Sequence, residues 1–365
     1  MDRTGQRLHL AASSGGHLEL LVAVLPALAG YERVWVTPES NRARDLEVSG
    51  DRLELVSFYG RNPLRLIRQL RQVARLMARE RPQVVITTGA GTAVPFCVIS
   101  WLLGAKVIFV ETMARVTNAS LSGRILSRLA SVTIVQWPEM LDVYRCARLC
   151  SPALLNDVDA GTPRGDGGGT FVAVGTHYQP FDRLLSAVDR AVGNEVLPAP
   201  ATGQAGTSTH SVENVALVPF MSPGEMSQAI SQSRYVVCHA GSGIISAALR
   251  AGRKPLVMPR LQANNEHVDD HQTQIVGKLS AMDLVVPIEE KITSSDLSAA
   301  NRPVGELAQP TTDRLPSIEG ALSEALRTVL GPGANSTMGT TLDVAGQRPD
   351  SRAEQPKRGV NAWTS

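Results

Sequence analysis

The sequence predicts an α/β protein made of two doubly wound, Rossmann-like domains that face each other across a cleft. Three observations carry this. Short apolar runs alternate with helix-periodic stretches along most of the chain, the rhythm of parallel sheets covered on both faces. A strand, a glycine turn and a helix follow one another around Gly15 and again around Gly241, once in each half. Gly161 to Gly169, GTPRGDGGG, has the composition of a linker and divides the 365 residues near their middle. The expected layout is a first domain over 1–160, a linker over 161–169, a second domain over 170–330, and a polar tail over 331–365 that is disordered.

The first half reads in order as follows. Arg7 to Ala12 is a strand, Ser13-Ser14-Gly15-Gly16-His17 a turn, and His17 to Leu28 a helix. Arg33 to Thr37 and Asp51 to Ser57 are strands. Over 61–81 the apolar residues Leu64, Ile67, Leu70, Val73, Ala74 and Met77 fall at helical spacing, and Arg65, Arg68, Arg75 and Arg79 line another face. That face is either solvated or rests on anionic lipid headgroups, where each basic residue contributes about 1 kcal/mol. Gln83 to Thr88 is a strand that runs into a third turn, Gly89-Ala90-Gly91-Thr92. Ala93 to Val110 is interrupted by Pro95, Gly104 and Lys106, and so reads as a buried helix and a buried strand, not a membrane span; the alternative is a helix dipping into a membrane face with Trp101 at the interface. Glu111 stands at that strand's carboxyl end, where ligands of open α/β sheets gather. A helix over Ser120 to Ala130 and a strand over Val132 to Gln136 follow.

In the second half Thr170 to Val174 is a strand and Gly175-Thr176-His177 its turn. Phe181 to Val192 is a helix, and 193–214 holds a strand fragment and a loop. Val215 to Pro219 is a strand. Ser222 to Ser231 is a helix with Ser222 as cap and Pro223 at its first position. Val236 to Cys238 is a strand, followed by His239-Ala240-Gly241-Ser242-Gly243 and a helix. Pro255 to Pro259 runs into a polar loop. Gln274 to Ala281 is a helix, Leu284 to Ile288 a strand, and Ser317 to Leu330 a last helix.

Composition excludes several classes. A net charge of +2 argues against a nucleic-acid partner. Cys97, Cys146, Cys150 and Cys238 form no CxxC and no matched Cys/His clusters, so they read as reduced thiols, and no metal site is expected. The first residues lack the long apolar core of a signal peptide, which points to the cytoplasm. The turns suggest phosphate chemistry instead. Glycines let the backbone approach a phosphate, and the free N–H groups of the following helix point at it. GxGxxG is absent, so a dinucleotide fingerprint is not supported. With the hydrogen-bonding loop before Gln272, the later turn reads as a nucleotide-sugar site.

The chain resembles known families over about 280 residues. Ser13 to Leu18 (SSGGHL), Glu111 to Arg115 (ETMAR), Leu121 to Arg124 (LSGR) and Val135 to Glu139 (VQWPE) are similar to the acceptor-side subunit of the eukaryotic two-subunit enzyme that adds GlcNAc to a dolichol-diphosphate-linked sugar. They also resemble bacterial polysaccharide-synthesis proteins. Val174 to His177, His239 to Gly243 and Glu266 to Gln272 (EHVDDHQ) resemble the donor-side subunit and the carboxyl-terminal domain of glycosyltransferase family 28. The chain therefore looks like a fusion with the acceptor half first. The resemblance implies the GT-B architecture and inverting transfer from a UDP-sugar, a substrate rather than a cofactor. The implied acceptor is a polyprenyl-diphosphate-linked saccharide at the inner membrane face, with an anionic membrane surface as partner. It implies that Gly175, Thr176, His239, Gly241, Ser242 and Gly243 bind UDP, and that Asp270, His271 and Gln272 bind the donor sugar. Gly15, Gly16 and Arg115 fall to the acceptor side. His17 is the first candidate base and Glu111 the second. The bland readings are that His17 only packs, that Glu111 caps or pairs with Arg115, and that His239 is a satisfied core histidine. Ala247 stands where many relatives carry a ribose-binding Glu. A UDP-GlcNAc 2-epimerase and a non-catalytic sugar-nucleotide-binding scaffold are the alternatives.

Overall fold

The computed structural model describes residues 6–48, 50–57, 62–154, 167–267, 269–304 and 315–331. The first half builds a seven-stranded parallel sheet from β1 (Arg7–Ala12), β2 (Glu32–Thr37), β3 (Arg52–Leu55), β4 (Val84–Gly89), β5 (Lys106–Val110), β6 (Val132–Val135) and β7 (Arg148–Leu149). Their order is β3-β2-β1-β4-β5-β6-β7. The connecting helices are α1 (Gly16–Ala23), α2 (Asn41–Val48), α3 (Pro63–Arg79), α4 (Ala93–Leu102), α5 (Leu121–Leu129) and α6 (Met140–Val143). The second half repeats the plan with six strands, β8 (Thr170–Ala173), β9 (Ala201–Gln204), β10 (Ala216–Val218), β11 (Tyr235–His239), β12 (Leu256–Met258) and β13 (Val286–Pro287). These run in the order β10-β9-β8-β11-β12-β13. Its helices are α7 (Asp182–Gly193), α8 (Pro223–Gln232), α9 (Ser242–Arg250), α10 (His271–Ala281) and α11 (Ser294–Ala300), and α12 (Ile318–Leu330) closes the described chain.

Alternation along each strand sends neighbouring side chains to opposite faces. Val107 and Phe109 of β5 join one apolar cluster, and Ile108 and Val110 join another. The first of these clusters is continuous through both halves, taking in Val236 and Cys238 of β11 and Ile244 and Ala248 of α9. Ser222 and Glu225 form a reciprocal capping box at the start of α8, as its sequence predicts. Pro26 ends α1 early, and the last turn of the expected helix is a 3-10 turn over Leu25–Leu28.

One expectation needs correction. The last helix does not belong to the second domain. Ile318, Ala321, Leu322, Ala325 and Leu326 form an i, i+3, i+4 stripe packed with Leu8, Leu21, Leu28 and Ile108 of the first half. Ser151 N–H donates to Pro316 O at 2.9 Å, and Arg148 pairs with Glu324 at 3.1 Å. The stripe covers a sheet face that α1 alone leaves open. The first half of the stripe on α3 is not buried: Leu64, Ile67 and Leu70 are 75%, 47% and 38% exposed, and burial begins at Gln69, Val73, Leu76 and Met77. Most of the expected linker and all of the expected tail beyond Gly331 lie outside the described residues. Among those described, no helix is long and apolar enough to cross a membrane.

Leu322→Ala should destabilise the first half by about 2–5 kcal/mol, the cost of a core cavity. Leu64→Ala, at the exposed start of α3, should stay within about 0.5 kcal/mol. Urea unfolding of the two variants checks this, and an unshifted midpoint for Leu322→Ala would detach α12 from the core.

Candidate active site

Each strand order reverses at one point, between β1 and β4 in the first sheet and between β8 and β11 in the second. Loops leaving adjacent strands part there and open a crevice at the carboxyl edge. The turns that leave these four strands hold most of the candidate residues. The two crevices face each other: a Cβ placed on Gly16 would lie 3.5 Å from Ser242 Oγ. Gly15, with φ +83°, caps α1, and Gly241 caps α9; neither helix start has a capping side chain, and α9 has no acid in its first turn. The N–H groups of both first turns thus remain available to an anion. Gly243 and Thr176 are exposed beside them.

His239 sets the glycine pattern of its own half. Its Nδ1 lies 3.3 Å from Ala173 O, and its ring fills the space between two turns. A Cβ at Gly175 would come within 2.5 Å of the ring, and one at Gly241 within 2.2 Å. Burial pushes the His239 pKa down to about 3, with the Arg260 guanidinium adding to it. The ring is therefore a neutral spacer whose bulk only glycine tolerates on both sides.

His17 is latched to the neighbouring strand. Its Nδ1 lies 2.8 Å from the Thr88 carbonyl, and Thr88 Oγ1 donates back to His17 O at 2.8 Å. A carbonyl only accepts, so Nδ1 carries the proton and Nε2 keeps its lone pair. Burial lowers the His17 pKa to about 4, so the ring is neutral near pH 7. This arrangement suits a proton acceptor.

The loop from Arg260 to Gln272 is braced from inside. The buried Arg260 guanidinium donates to the carbonyls of Val174 (2.7 Å), Gln179 (2.8 Å) and Glu266 (2.9 Å), and it stacks on Phe181. Arg183 pairs with Glu266 at 2.8 Å. Asp270 accepts from Gln262 N–H at 2.7 Å, and the buried Gln272 accepts from Arg260 N–H at 2.9 Å. Both residues thus commit an oxygen to their own loop. His271 faces the seam, where Asp269 holds it. Asp269 Oδ1 is met by His271 Nδ1 and, at 3.3 Å, by His267 Nδ1. Asp269 Oδ2 accepts from Arg115 of the first half at 2.6 Å. Burial opposes the charge on Asp269, but hydrogen bonds from His267, His271 and Arg115 outweigh it and hold the carboxyl below the usual range. Burial likewise lowers His271, and takes His177, stacked on His267 at 4.7 Å, to about 4. The ligand-type atoms of His267, Asp269 and His271 lie within 4.8 Å of one another. A cavity of about 320 Å³ opens beside this network, lined by Arg115, Arg124, Asp270, His271 and Gln274 among others.

Glu111 is not in the cleft. It is 2% exposed; Tyr144 Oη donates to its Oε2 at 2.5 Å and Thr112 N–H to its Oε1 at 2.9 Å. Burial raises its pKa, against the pull of these bonds. It stands at a carboxyl strand end, but its carboxyl turns inward, held by Tyr144 and the Thr112 N–H. Arg115 is likewise committed, to Asp269 and to Asn118 at 3.2 Å.

With this geometry described, similarity to known proteins can be placed on it. The family "Oligosaccharide biosynthesis protein Alg14 like" matches residues 56–152, and "Glycosyltransferase family 28 C-terminal domain" matches residues 187–300. The UDP-N-acetylglucosamine transferase subunit ALG14 of Mus musculus is 30% identical over 174 residues, 39% of this chain and 80% of that protein. The chain belongs to the Alg14-like family. This Alg14-like chain continues into a family 28 domain, the fused order its motifs suggested. Along 93% of its length it is also 26% identical to the UDP-N-acetylglucosamine--N-acetylmuramyl-(pentapeptide) pyrophosphoryl-undecaprenol N-acetylglucosamine transferase of Pseudomonas fluorescens, 98% of which is covered. Among solved structures, MurG of Acinetobacter baumannii superposes with a TM-score of 0.58 at 17% identity, over 88% of this chain and 99% of that one. UDP-N-acetylglucosamine 2-epimerase from Rickettsia bellii superposes at 0.60 with 10% identity, over 89% and 96%. The architecture of the Alg14-like chain is GT-B, as expected.

Sequence reasoning did not single out Asp269, His267 or Arg260. The first two were legible in part, as the alternating pattern of His267, Asp269 and His271 in the sequence.

Two outcomes follow. Gly241 has an ordinary φ of −83°, so Gly241→Ala is penalised only by collision with His239. Adding His239→Ala should restore most of the lost thermal stability. The same second change should not rescue Gly175→Ala, where φ is +83°. Acid should also weaken the fold. His17, His177 and His239 sit at about 4, about 4 and about 3 when folded, against 6.5 when free. As pH falls from 6.5 towards 4, the unfolded chain binds protons that the folded one refuses. Stability should drop through that window, by up to about 1.4 kcal/mol per pH unit for each imidazole. A flat urea midpoint between pH 7 and 4.5 would rule this out.

Proposed function

We propose that this Alg14-like chain is an inverting glycosyltransferase. It moves GlcNAc, or a related hexose or uronic acid, from a UDP-sugar to a polyprenyl-diphosphate-linked saccharide in polysaccharide or cell-wall glycan synthesis. The observation that carries this reading is the pair of uncapped helix starts, α1 and α9, set against each other where the two sheets reverse their order. The diphosphate rests on α9, its charge met by N–H groups and Ser242 Oγ. His17 Nε2 takes the acceptor hydroxyl proton as that oxygen attacks the anomeric carbon and the bond to UDP breaks. One displacement inverts the centre, so a single base suffices. The negative charge grows on the departing diphosphate, where the fixed amides of α9 already point. No metal is required in this scheme, because the amides at the start of α9 meet the charge of the departing diphosphate.

The names of the relatives support a UDP-GlcNAc donor and a lipid-linked acceptor. Peripheral attachment to the inner face of the plasma membrane fits the surface of the first half. Helices α3 and α5 both pack on α4 and both begin at the carboxyl edge of the sheet. Their exposed Leu64, Ile67, Leu70, Leu121 and Ile125 therefore lie at the cleft end, interleaved with Arg65, Arg68, Arg71, Arg124 and Arg128. Such a surface seats apolar groups among headgroups and cations among anionic lipids.

An epimerase shares the fold, and a scaffold would share the UDP site, so the deciding assay separates all three. Purified protein is given a panel of labelled UDP-sugars and polyprenyl-diphosphate-linked saccharides in anionic vesicles. Label should enter the lipid phase, and His17→Ala should cut turnover by about two to four orders of magnitude while the protein stays folded. UDP-GlcNAc/UDP-ManNAc interconversion without lipid would establish the epimerase. UDP binding without any transfer would establish the scaffold.

A further inference from the structure

We infer that Arg115 and Asp269 are positioning residues that assemble the donor-sugar contact of His271 only when the two halves of the chain meet. This rests on the transferase reading above and names residues that reading leaves without a role.

Asp269 divides its two oxygens between the halves. Oδ1 faces its own loop, where His271 Nδ1 and His267 Nδ1 approach it. Oδ2 faces the first half, where it meets Arg115 Nη2 at 2.6 Å. Because the carboxylate only accepts, the His271 nitrogen nearest it carries a proton, and the remaining Nε2 keeps a lone pair. That lone pair belongs to a ring lining the cavity of about 320 Å³ at the seam. A neutral imidazole held in this tautomer accepts a hydrogen bond from a sugar hydroxyl. The neighbouring chemistry suits a sugar: Asn118, Thr273 and Gln274 line the same cavity and offer further hydrogen-bonding groups.

The orientation of the ring depends on Asp269, and Asp269 has one charged partner across the seam. Arg115 is 17% exposed and Asp269 36% exposed at their side chains, so water competes weakly on the arginine side. With Arg115 gone, Oδ2 loses its cation and the carboxylate is free to swing out to solvent, taking the tautomer lock with it. Two other contacts also join the halves but do not touch Asp269. Lys278 pairs with Glu139, and Thr117 Oγ1 donates to Gln274 Oε1 at 3.1 Å. These provide the control for simple adhesion of the halves.

The test compares UDP-GlcNAc with UDP. Arg115→Met, Asp269→Asn and His271→Ala should each raise the KM for UDP-GlcNAc about tenfold. The Kd for UDP alone, measured by calorimetry, should stay within about twofold, because the diphosphate rests on α9. Arg115→Lys should recover part of the loss. The double variant Arg115→Met/His271→Ala should be no worse than His271→Ala alone, since both act through one ring. Glu139→Gln should leave the KM for UDP-GlcNAc unchanged.

Additive losses in the double variant would overturn the inference, as would an equal loss from Glu139→Gln, which would mean only that the halves adhere less. Loss of UDP-GlcNAc affinity on adding a chelator, restored by a divalent cation, would also overturn it, because His267, Asp269 and His271 would then be metal ligands. Failure of the wild-type protein to bind UDP at all would instead remove the transferase reading.

Discussion

The structure depends on keeping two carboxyl sheet edges face to face, so close that a Cβ on Gly16 would touch Ser242 Oγ at 3.5 Å. Backbone amides are the main donors at that gap, and amides approach an anion only where no Cβ intervenes. That suits the glycines of the turns after β1, β8 and β11, and at Gly175 and Gly241 the His239 ring also leaves no room for a Cβ. Holding the edges together is a packing problem. It is met by the apolar cluster that runs from Val107 and Phe109 in the first half to Val236, Cys238 and Ile244 in the second. Arg115–Asp269 and Lys278–Glu139 then fix the facing loops at the seam.

The electrostatics follow from the same geometry. The chain carries a net charge of only +2, yet its proposed donor is a dianion. Five of its seven histidines, His17, His177, His239, His267 and His271, cluster at the seam. Burial holds His17, His177 and His239 neutral near pH 7. They supply shape, lone pairs and N–H donors without a fixed positive field. Helix starts, Arg115 and the buried Arg260 provide the positive potential instead. Such a division lets a ring accept a proton beside a phosphate site without first having to lose one of its own.

Much of this was legible in the sequence, and the failures have physical causes. Strands such as Lys106–Val110 and Tyr235–His239 are buried on both faces over all but one end residue and read there as unbroken apolar runs. The helix Asn41–Val48 was missed because NRARDLEV has no apolar stripe to detect. The helix Ser294–Ala300 was missed because it is short and built largely of small residues, its start marked only by a Thr293/Asp296 capping box. The return of Ile318–Leu330 to the first half was hidden, since an amphipathic stripe reports that a face is buried and not against what. Glu111 misled for a related reason. A carboxyl strand end is visible in sequence, but side-chain direction is not: Arg115, four residues on, reaches the seam, while the Glu111 carboxyl turns inward to Tyr144. The loop from Glu266 to Gln272 was recognised as a unit. Its division into residues that brace the loop and residues that face the seam required the side-chain directions.

The route of the chain bears on how the halves can move. The first crossing lies between Leu154 and Gly167, and the second between Val304 and Leu315, because the last helix packs beside β5 and β6 of the first sheet. Two crossings restrain separation of the halves more than a single linker does. The Arg115–Asp269 pair forms only where the halves meet, so the contact inferred for His271 depends on the closed arrangement. A donor sugar that accepts this ring as partner therefore favours the closed arrangement by as much as it gains from the contact. In that way the chemistry of one loop biases the posture of the whole chain.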